Sequence, residues 1–364
     1  MHGISARKAT HRRRDPIESA LRRPPVVVDQ GISELRYLIL TQGLSNDPDK
    51  DFCTYRSYVW CILLKVSPTQ SKDYLSLIHR GASPAYSKIR NDTFRTLTTD
   101  ILFQRRVSET SLIRILNALA WKRWDRYHSR HKQQHQQQNQ TSKAGRGSRL
   151  HNLHQRSYTQ SDISSMSSSS YVGEDDNISV SELYVQGLNV LAAPFLYACA
   201  SETQAFALFD TYIHTCCPLY VKPMLDGVHL GLKLLDTSLK IIDPTLYSHL
   251  KGKLLTAELY GFASVLTMSA CTPPLNEVLV LWDFLIAFGP HMNILAVIAQ
   301  LLIIRDSLLA SQSPMTLLRT FPPLQAKKVI TLAVSFVPRL PEELYDLLVR
   351  HTYDETVSDR IKSL

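Results

Sequence analysis

The sequence predicts an all-α fold, and three observations support this prediction. Apolar residues recur at intervals of three and four along most of the 364 residues, which is the spacing that lines one face of a helix. Little of the chain alternates between apolar and polar residues, as a strand with one buried face does. Prolines separate the apolar segments of the second half, for example at Pro218, Pro244 and Pro290, and indicate where helices end.

The first half of the chain contains several helical segments. Apolar stripes predict one helix starting near Gly31 and others over residues 55–66 and 73–79. Ser83 and Pro84 predict a further helix start, with serine as the cap and proline in the first helical position. A longer helix with a continuous apolar stripe is predicted to start at residues 108–111.

The second half is more apolar and contains a longer series of predicted helices. Their expected ranges are 188–197, 205–213, 230–242, 254–266, 278–287 and 294–309. A last helix is predicted after Pro341, because Glu342 and Glu343 favour the positive end of the helix dipole. Leu344, Leu347 and Leu348 would then face inward.

Two polar segments interrupt this pattern. Residues 1–27 are basic and poor in large apolar side chains, so we expect a disordered tail, whose basic run could be a docking or nuclear-import signal. Residues 125–179 are rich in Gln, His and Ser, and we interpret them as a disordered insertion, open to phosphorylation at its serines. The expected organisation is one helical domain over 28–350, interrupted by that insertion and followed by a C-terminal tail, 351–364.

Charge and cysteine usage exclude several classes of protein. The net charge of +9 is the sum of +5 in residues 1–27 and +4 in residues 122–179, so we expect no basic folded face and disfavour a nucleic-acid reader. The six cysteines lie in apolar segments without metal-ligand spacing, which predicts free thiols of a cytoplasmic protein. No apolar run reaches the length of about twenty residues that a transmembrane helix needs.

Two short motifs indicate the chemistry. The segment 89–95 has the pattern I-x-x-D-x-x-R, and the segment 184–187 has the pattern Y-x-Q-G. Together they offer a fixed guanidinium, from Arg95, and a fixed carboxamide, from Gln186. Those are the two groups that a GTP-hydrolysing site needs if it lacks its own, since arginine stabilises the transferring phosphoryl group and glutamine orients the attacking water.

The neighbours of these two residues have expected supporting roles. Asp92 precedes Arg95 by three positions and would orient its side chain or fix the loop, although an ordinary surface ion pair is the alternative. Tyr184 is expected to pack beneath the arginine, and the alternatives are a plain core aromatic and a direct contact with the partner. Gly187 would leave room for the partner's backbone.

The sequence resembles the TBC-domain family of GTPase-activating proteins, which act on Rab-like GTPases. Four elements carry this resemblance in the family's order over about 230 residues. They are an R-x-x-V-W element at 56–60, the arginine-finger motif from Ile89 to Thr96, the glutamine-finger motif at 184–189, and a P-L…W-D element at 274–283. The first and last of these predict a scaffold that holds the two finger segments in place, formed by Arg56, Trp60, Trp282 and Asp283.

Within that family the resemblance is to the fungal spindle-position checkpoint subgroup. It implies an activator, not itself an enzyme, that donates Arg95 and Gln186 to a small Ras- or Rab-like GTPase and restrains mitotic exit or septation. It further implies a non-TBC scaffold subunit as second partner and a location at the spindle pole body. The chain should need no metal or cofactor of its own, because GTP and Mg²⁺ belong to the GTPase.

Two alternatives remain at this point. A TBC scaffold could bind the GTPase and its regulators without accelerating hydrolysis. A helical adaptor could bind nucleic acid through the basic segments.

Overall fold

The computed structural model describes residues 15–23, 25–46, 52–67, 72–98, 100–147 and 178–361. These residues form helices, turns and loops and include no β-strand, so the predicted all-α class is confirmed. None of the helices in these ranges is long and apolar enough to cross a membrane.

The described residues before the 148–177 gap form seven helices. They are α1 (Pro16–Arg22), α2 (Val28–Thr41), α3 (Arg56–Leu63), α4 (Lys72–His79), α5 (Tyr86–Thr93), α6 (Ile101–Arg106) and α7 (Glu109–Gly147). The helices starting near Gly31, Tyr55, Asp73 and Ser108 are therefore confirmed.

After the gap the chain continues as a second helical series. It comprises α8 (Val180–Leu183), α9 (Leu188–Ala198), α10 (Glu202–Thr211), α11 (Asp226–Ile242), α12 (Pro244–Gly252), α13 (Ala257–Tyr260), α14 (Phe262–Leu266), α15 (Leu275–Phe288), α16 (Met292–Ile303), α17 (Arg305–Ala310), α18 (Pro314–Arg319), α19 (Ala326–Phe336), α20 (Glu342–Arg350) and α21 (Val357–Ile361). A π-helical turn, Tyr212–Cys216, and 3₁₀ turns at Pro218–Tyr220 and Val337–Arg339 complete it.

The core is built around four helices that are buried over most of their length. Nearly all of α9 and ten consecutive residues of α16 are buried, and α11 and α15 are buried over most of their length. Such helices must lie inside the protein. α9 packs against α3, α5, α7, α10 and α15, while α16 packs against α11 and α19. This arrangement places α9 in the core directly beneath α5.

The predicted helices differ from the structure most clearly in three places. The cap of α5 is Ala85 rather than Ser83, whose hydroxyl oxygen is buried and makes no hydrogen bond within the described residues. The 254–266 segment divides into α13 and α14 at Gly261. The 294–309 segment divides into α16 and α17 at Ile304.

The predicted bounds of the two tails and of the insertion differ from the structure. In the N-terminal segment, α1 buries Ile17 completely and Asp15 accepts a hydrogen bond from the Tyr55 hydroxyl. At the other end His351, Thr352 and Val357 are buried, so the fold continues past residue 350. The parts of these predictions that concern residues 1–14 and 362–364 lie outside the described residues.

The insertion likewise starts later than residue 125, because α7 continues to Gly147. Gln, Lys and Arg are good helix formers, so composition alone was a poor guide here. Asp125 pairs with Arg80 at 2.8 Å, and Arg126 pairs with Asp210 at 3.4 Å. Part of the positive charge assigned to the insertion therefore lies on the folded body. Residues 148–177 lie outside the described part.

The six cysteines are free thiols, as predicted. Cys53, Cys199 and Cys217 are buried, and the other three are half-buried. Burial raises the pKa of Cys217 and Cys199 well above the ordinary thiol value, which keeps them protonated and unreactive.

Candidate functional site

Arg95 lies in an exposed turn immediately after α5. The helix ends at Thr93, and the Arg95 side chain is 61% exposed. Its Nη2 donates to Asp92 Oδ1 at 3.1 Å. The guanidinium also lies 5.5 Å from the centre of the Phe94 ring, which is itself largely exposed. The turn therefore presents a cation and an aromatic ring to solvent.

Asp92 is the buried anchor of this turn. Asp92 is 8% exposed, whereas the side chain of Arg95, which donates a hydrogen bond to it, is 61% exposed. The Tyr184 ring is fully buried beside it, and burial raises the pKa of Tyr184, with the Asp92 carboxylate adding to that effect. Tyr184 is therefore a buried aromatic residue beside Asp92, and it has no exposed surface with which to contact a partner directly. Ile89 is fully buried on the same helix and belongs to the core.

Gln186 is exposed in the turn that joins α8 to α9, and buried residues surround it in the sequence. The next residue, Gly187, has a φ of +100°, a conformation that favours glycine. A Cβ atom there would lie 2.8 Å from Leu266 Cδ2. Gly187 is buried, so the expectation that it leaves room for a partner's backbone is wrong, and its role is to permit this turn.

Side-chain hydrogen bonds join the two segments directly. Asn189 Nδ2 donates to the Asp92 carbonyl at 3.2 Å and to Thr96 Oγ1 at 2.9 Å. Lys88 Nζ donates to the Tyr184 carbonyl at 3.3 Å. Segments about ninety positions apart in sequence are therefore fixed neighbours, and Arg95 in one and Gln186 in the other are exposed.

The four predicted scaffold residues form one buried cluster behind these segments. Asp283 Oδ1 accepts from Arg56 Nε at 3.0 Å and from Trp60 Nε1 at 2.8 Å. Burial raises the pKa of Asp283, and the Arg56 charge opposes this. Trp282 donates to the Met268 carbonyl at 3.0 Å and packs 6.4 Å from Trp60, measured between ring centres. The cluster ties α3 to α15.

Three residues that hold the site together were not recognised from the sequence. Asn189 and Thr96 lie within the two finger motifs. No role could be predicted for them, because their hydrogen-bond partners are remote in sequence. Asp100 follows the arginine turn, where it caps α6 and accepts from the Leu275 amide at 3.0 Å. It thereby connects the arginine turn to the start of α15. An aspartate just before an apolar run was the available signal, but only for the cap.

Comparison with known proteins places the chain in a family. Residues 177–309 match the Rab-GTPase-TBC domain family, and this range includes Gln186 but not Arg95. The chain is 42% identical to cell division control protein 16 of Schizosaccharomyces pombe over 323 residues, covering 89% of each chain. It is 41% identical to mitotic check point protein BUB2 of Saccharomyces cerevisiae, covering 94% of this chain and 98% of that protein.

The fold has a solved counterpart as well. The structure is similar to the Ypt/Rab-GAP domain of Gyp1p, with a TM-score of 0.57 and 17% identity, over 84% of this chain and 92% of that one. At that identity the likeness establishes a shared fold. Taken with the two relatives, which match nearly end to end, it shows that this chain is a member of the Rab-GTPase-TBC domain family.

Proposed function

We propose that this chain is a GTPase-activating protein that supplies Arg95 and Gln186 to the nucleotide site of a small Rab- or Ras-like GTPase. The observation that carries the proposal is the contrast in exposure at the two motifs. Arg95 and Gln186 face solvent, whereas Ile89, Asp92 and Tyr184 around them are buried. The hydrogen bonds of Asn189 hold the two segments together, so both side chains can reach one partner.

Arg95 suits the charge that develops during phosphoryl transfer. Its planar guanidinium offers five donors, and phosphoryl oxygens accept them in pairs, which a lysine ammonium does less well. The hydrogen bond to Asp92 occupies one nitrogen, Nη2, and leaves the exposed remainder of the group to face a partner. An arginine supplied in this way accelerates hydrolysis by about 10³- to 10⁵-fold.

Gln186 would orient the attacking water. A carboxamide both donates and accepts hydrogen bonds, so it can position a water against the γ-phosphate without taking its proton. The glycine-dependent turn fixes the backbone at this residue. The GTP and Mg²⁺ of the reaction are the partner's, and the chain contributes the two side chains.

The names of the relatives suggest the process. One is a cell division control protein and the other a mitotic check point protein. We therefore propose that the activator acts in the control of mitotic exit or septation. The subgroup resemblance of the sequence motifs further suggests that it is the catalytic subunit of a two-component complex at the spindle pole body. Its second subunit would be a scaffold without a TBC domain that positions the GTPase.

Single-turnover GTP hydrolysis by the cognate GTPase tests this proposal. The purified chain, together with its scaffold subunit, should accelerate hydrolysis. Arg95→Ala should remove most of the acceleration, a loss of about 10³-fold or more, and Gln186→Ala should also reduce it strongly. Arg90→Ala and Gln42→Ala are matched controls, because both residues are exposed and lie outside the two turns.

Binding of the GTP-loaded GTPase to the same proteins separates activation from mere docking. The proposal predicts that Arg95→Ala still binds the GTPase but no longer accelerates hydrolysis. If the wild-type chain binds the GTPase and hydrolysis stays at its intrinsic rate, the protein is a silent scaffold and the proposal fails.

A further inference from the structure

Two exposed apolar side chains lie in the segment that carries Arg95. Phe94 directly precedes the arginine and is 59% exposed, and Ile101, the first residue of α6, is 66% exposed. The centre of the Phe94 ring lies 5.5 Å from the Arg95 guanidinium. Single exposed apolar residues are common on protein surfaces, so exposure alone does not indicate a partner. These two differ from the others in their place beside Arg95 and in the anchoring of the backbone that carries them.

Buried hydrogen bonds anchor this segment near both exposed residues. Thr96 is buried, and its hydroxyl oxygen accepts from Asn189 Nδ2 at 2.9 Å. Asp100 accepts from the Leu275 amide at 3.0 Å, which fixes the start of α6 against the start of α15. Each of the two exposed apolar side chains lies within two residues of one of these anchors. Their exposure therefore follows from the position of the backbone and not from a frayed helix end.

Leu97, between the two exposed residues in sequence, has the opposite environment. It is partly buried and packs against the core. Its φ is +47°, a left-handed conformation that residues other than glycine rarely adopt. The segment thus holds a strained backbone at Leu97, with this side chain turned to the core and those of Phe94 and Ile101 in water. Strained backbone of this kind is concentrated at binding and catalytic sites.

A partner that receives Arg95 must also approach Phe94. The guanidinium can enter a nucleotide site only if the protein surface around that site comes close to the arginine turn, and the Phe94 ring lies within 5.5 Å of the guanidinium. Covering a large apolar side chain removes it from water and favours the complex. Aromatic residues that become buried at an interface commonly supply much of its affinity.

We propose that Phe94 and Ile101 dock an apolar patch that borders the nucleotide site of the GTPase. The inference rests on the proposed function and identifies side chains that set the affinity for the GTPase. A phenyl ring offers no hydrogen-bond donor to a phosphoryl oxygen, so its contact with the partner is the same before and during hydrolysis. Such uniform binding lowers the concentration needed for half-maximal acceleration and leaves the maximal rate unchanged.

Single-turnover GTP hydrolysis at increasing concentrations of the full chain, with its scaffold subunit, separates affinity from rate. Phe94→Ala should raise the half-maximal concentration about tenfold or more, while the maximal rate stays that of wild type. Phe94→Leu keeps an apolar side chain and should retain most of the affinity. Ile101→Ala should raise the half-maximal concentration less, because it removes less apolar surface. Tyr353→Ala and Leu75→Ala, at residues 50% and 57% exposed, are matched controls that should change neither value.

The outcomes distinguish this inference from the proposed function. If wild type accelerates hydrolysis and Phe94→Ala has an unchanged half-maximal concentration, the docking surface is wrong and the proposed function stands. A lower maximal rate at an unchanged half-maximal concentration also overturns the docking role, because the ring would then act through the position of Arg95.

Direct binding to the GTP-loaded GTPase decides the case in which wild type binds without accelerating hydrolysis. There the proposed function fails, and binding by Phe94→Ala that is about tenfold weaker still supports the docking surface, whereas equal affinity overturns it. A wild-type chain that does not bind the GTPase at all overturns both.

Discussion

Arg95 and Asp92 form an ion pair with unequal partners. The carboxylate is buried and the guanidinium is 61% exposed, so the pair adds little to the free energy of unfolding, in the range of about 0–1 kcal/mol. We propose that the ion pair serves to orient the Arg95 side chain. A side chain with four rotatable bonds loses less entropy on binding a partner when one of its nitrogens is already held.

Asp92→Asn tests this orienting role. We expect it to reduce the acceleration of GTP hydrolysis by roughly tenfold, because a neutral carboxamide holds the guanidinium less firmly than a carboxylate. The loss should be smaller than that of Arg95→Ala, since the arginine is still present. Single-turnover hydrolysis measures both, and Asp73→Asn, an exposed acid on α4, is the control. Full acceleration of hydrolysis by Asp92→Asn would show that Arg95 is oriented without the Asp92 carboxylate.

At the scale of single residues, the sequence indicated which side chains belong to the site but not which contacts hold them in place. The exposure of Arg95 and Gln186 agrees with the positions expected for them. The role predicted for Gly187 was wrong, because the lack of space for a larger residue there comes from Leu266, which is distant in sequence. Asn189 was overlooked for the same reason, since its partners lie 97 and 93 positions away.

The glutamine turn is the element on which the proposed mechanism depends most. α8 ends at Leu183 and α9 begins at Leu188, with the backbone reversing through Gly187. Because α9 is buried and packs against α5, the position of this turn relative to Arg95 is set by the core. Residues that shape the turn should therefore affect hydrolysis without touching the partner.

Gly187→Ala tests the turn. The new methyl group would meet Leu266 at 2.8 Å in a backbone conformation with a φ of +100°, and such strain costs about 1–3 kcal/mol. We expect a lower unfolding free energy by chemical denaturation and a reduced acceleration of hydrolysis. Gly252→Ala, at the end of α12, is the control, since a Cβ there meets no atom within 4 Å. Unchanged stability and activity in Gly187→Ala would contradict this description of the turn.

Helices were predictable where their signals are local and were missed where the signals are distant. The stripe of α2 and the serine at the start of α7 are local signals. The start of α13 is set by Asp236, whose carboxylate accepts from the Ala257 amide at 3.2 Å, although the two residues are 21 positions apart. Its separation from the rest of the predicted 254–266 helix could not be derived from the segment itself.

At the scale of the whole molecule, two buried histidines couple stability to pH. Burial lowers the pKa of both His291 and His351 to about 4. His351 Nδ1 donates to the Leu348 carbonyl at 2.6 Å, so its Nε2 is the acceptor of the Tyr220 hydroxyl at 2.8 Å. The folded state therefore holds a neutral ring, and burial disfavours its protonated form.

Stability should consequently fall as the pH is lowered from about 6.5 to about 4. In that window the unfolded chain binds protons that the folded chain does not, so the unfolding free energy drops by up to about 1.4 kcal/mol per pH unit for each histidine. His351→Gln should reduce this slope, while His229→Gln, on a half-exposed residue, should not. The free energy of unfolding, measured with denaturant at several pH values, gives this slope. Identical slopes for His351→Gln and wild type would refute the contribution assigned to His351.

We propose that the positions of the two motifs also depend on the buried cluster of Arg56, Trp60 and Asp283. This cluster joins α3 to α15, and α9 packs against both helices. The sequence allowed these residues to be grouped as scaffold through the family resemblance. Their contacts, over 227 and 223 positions, could only be seen in the folded chain.

The affinity of the chain, with its scaffold subunit, for its GTPase in two nucleotide states tests the central claim most directly. GDP with aluminium fluoride imitates the transferring phosphoryl group, and groups that act on the transition state bind such an imitation more tightly. We predict that the wild-type chain binds this state at least tenfold more tightly than the GTP state, and that Arg95→Ala and Gln186→Ala lose this preference while still binding the GTP state. Equal affinity of the wild-type chain for the two states would contradict the donation of Arg95 and Gln186 to the partner.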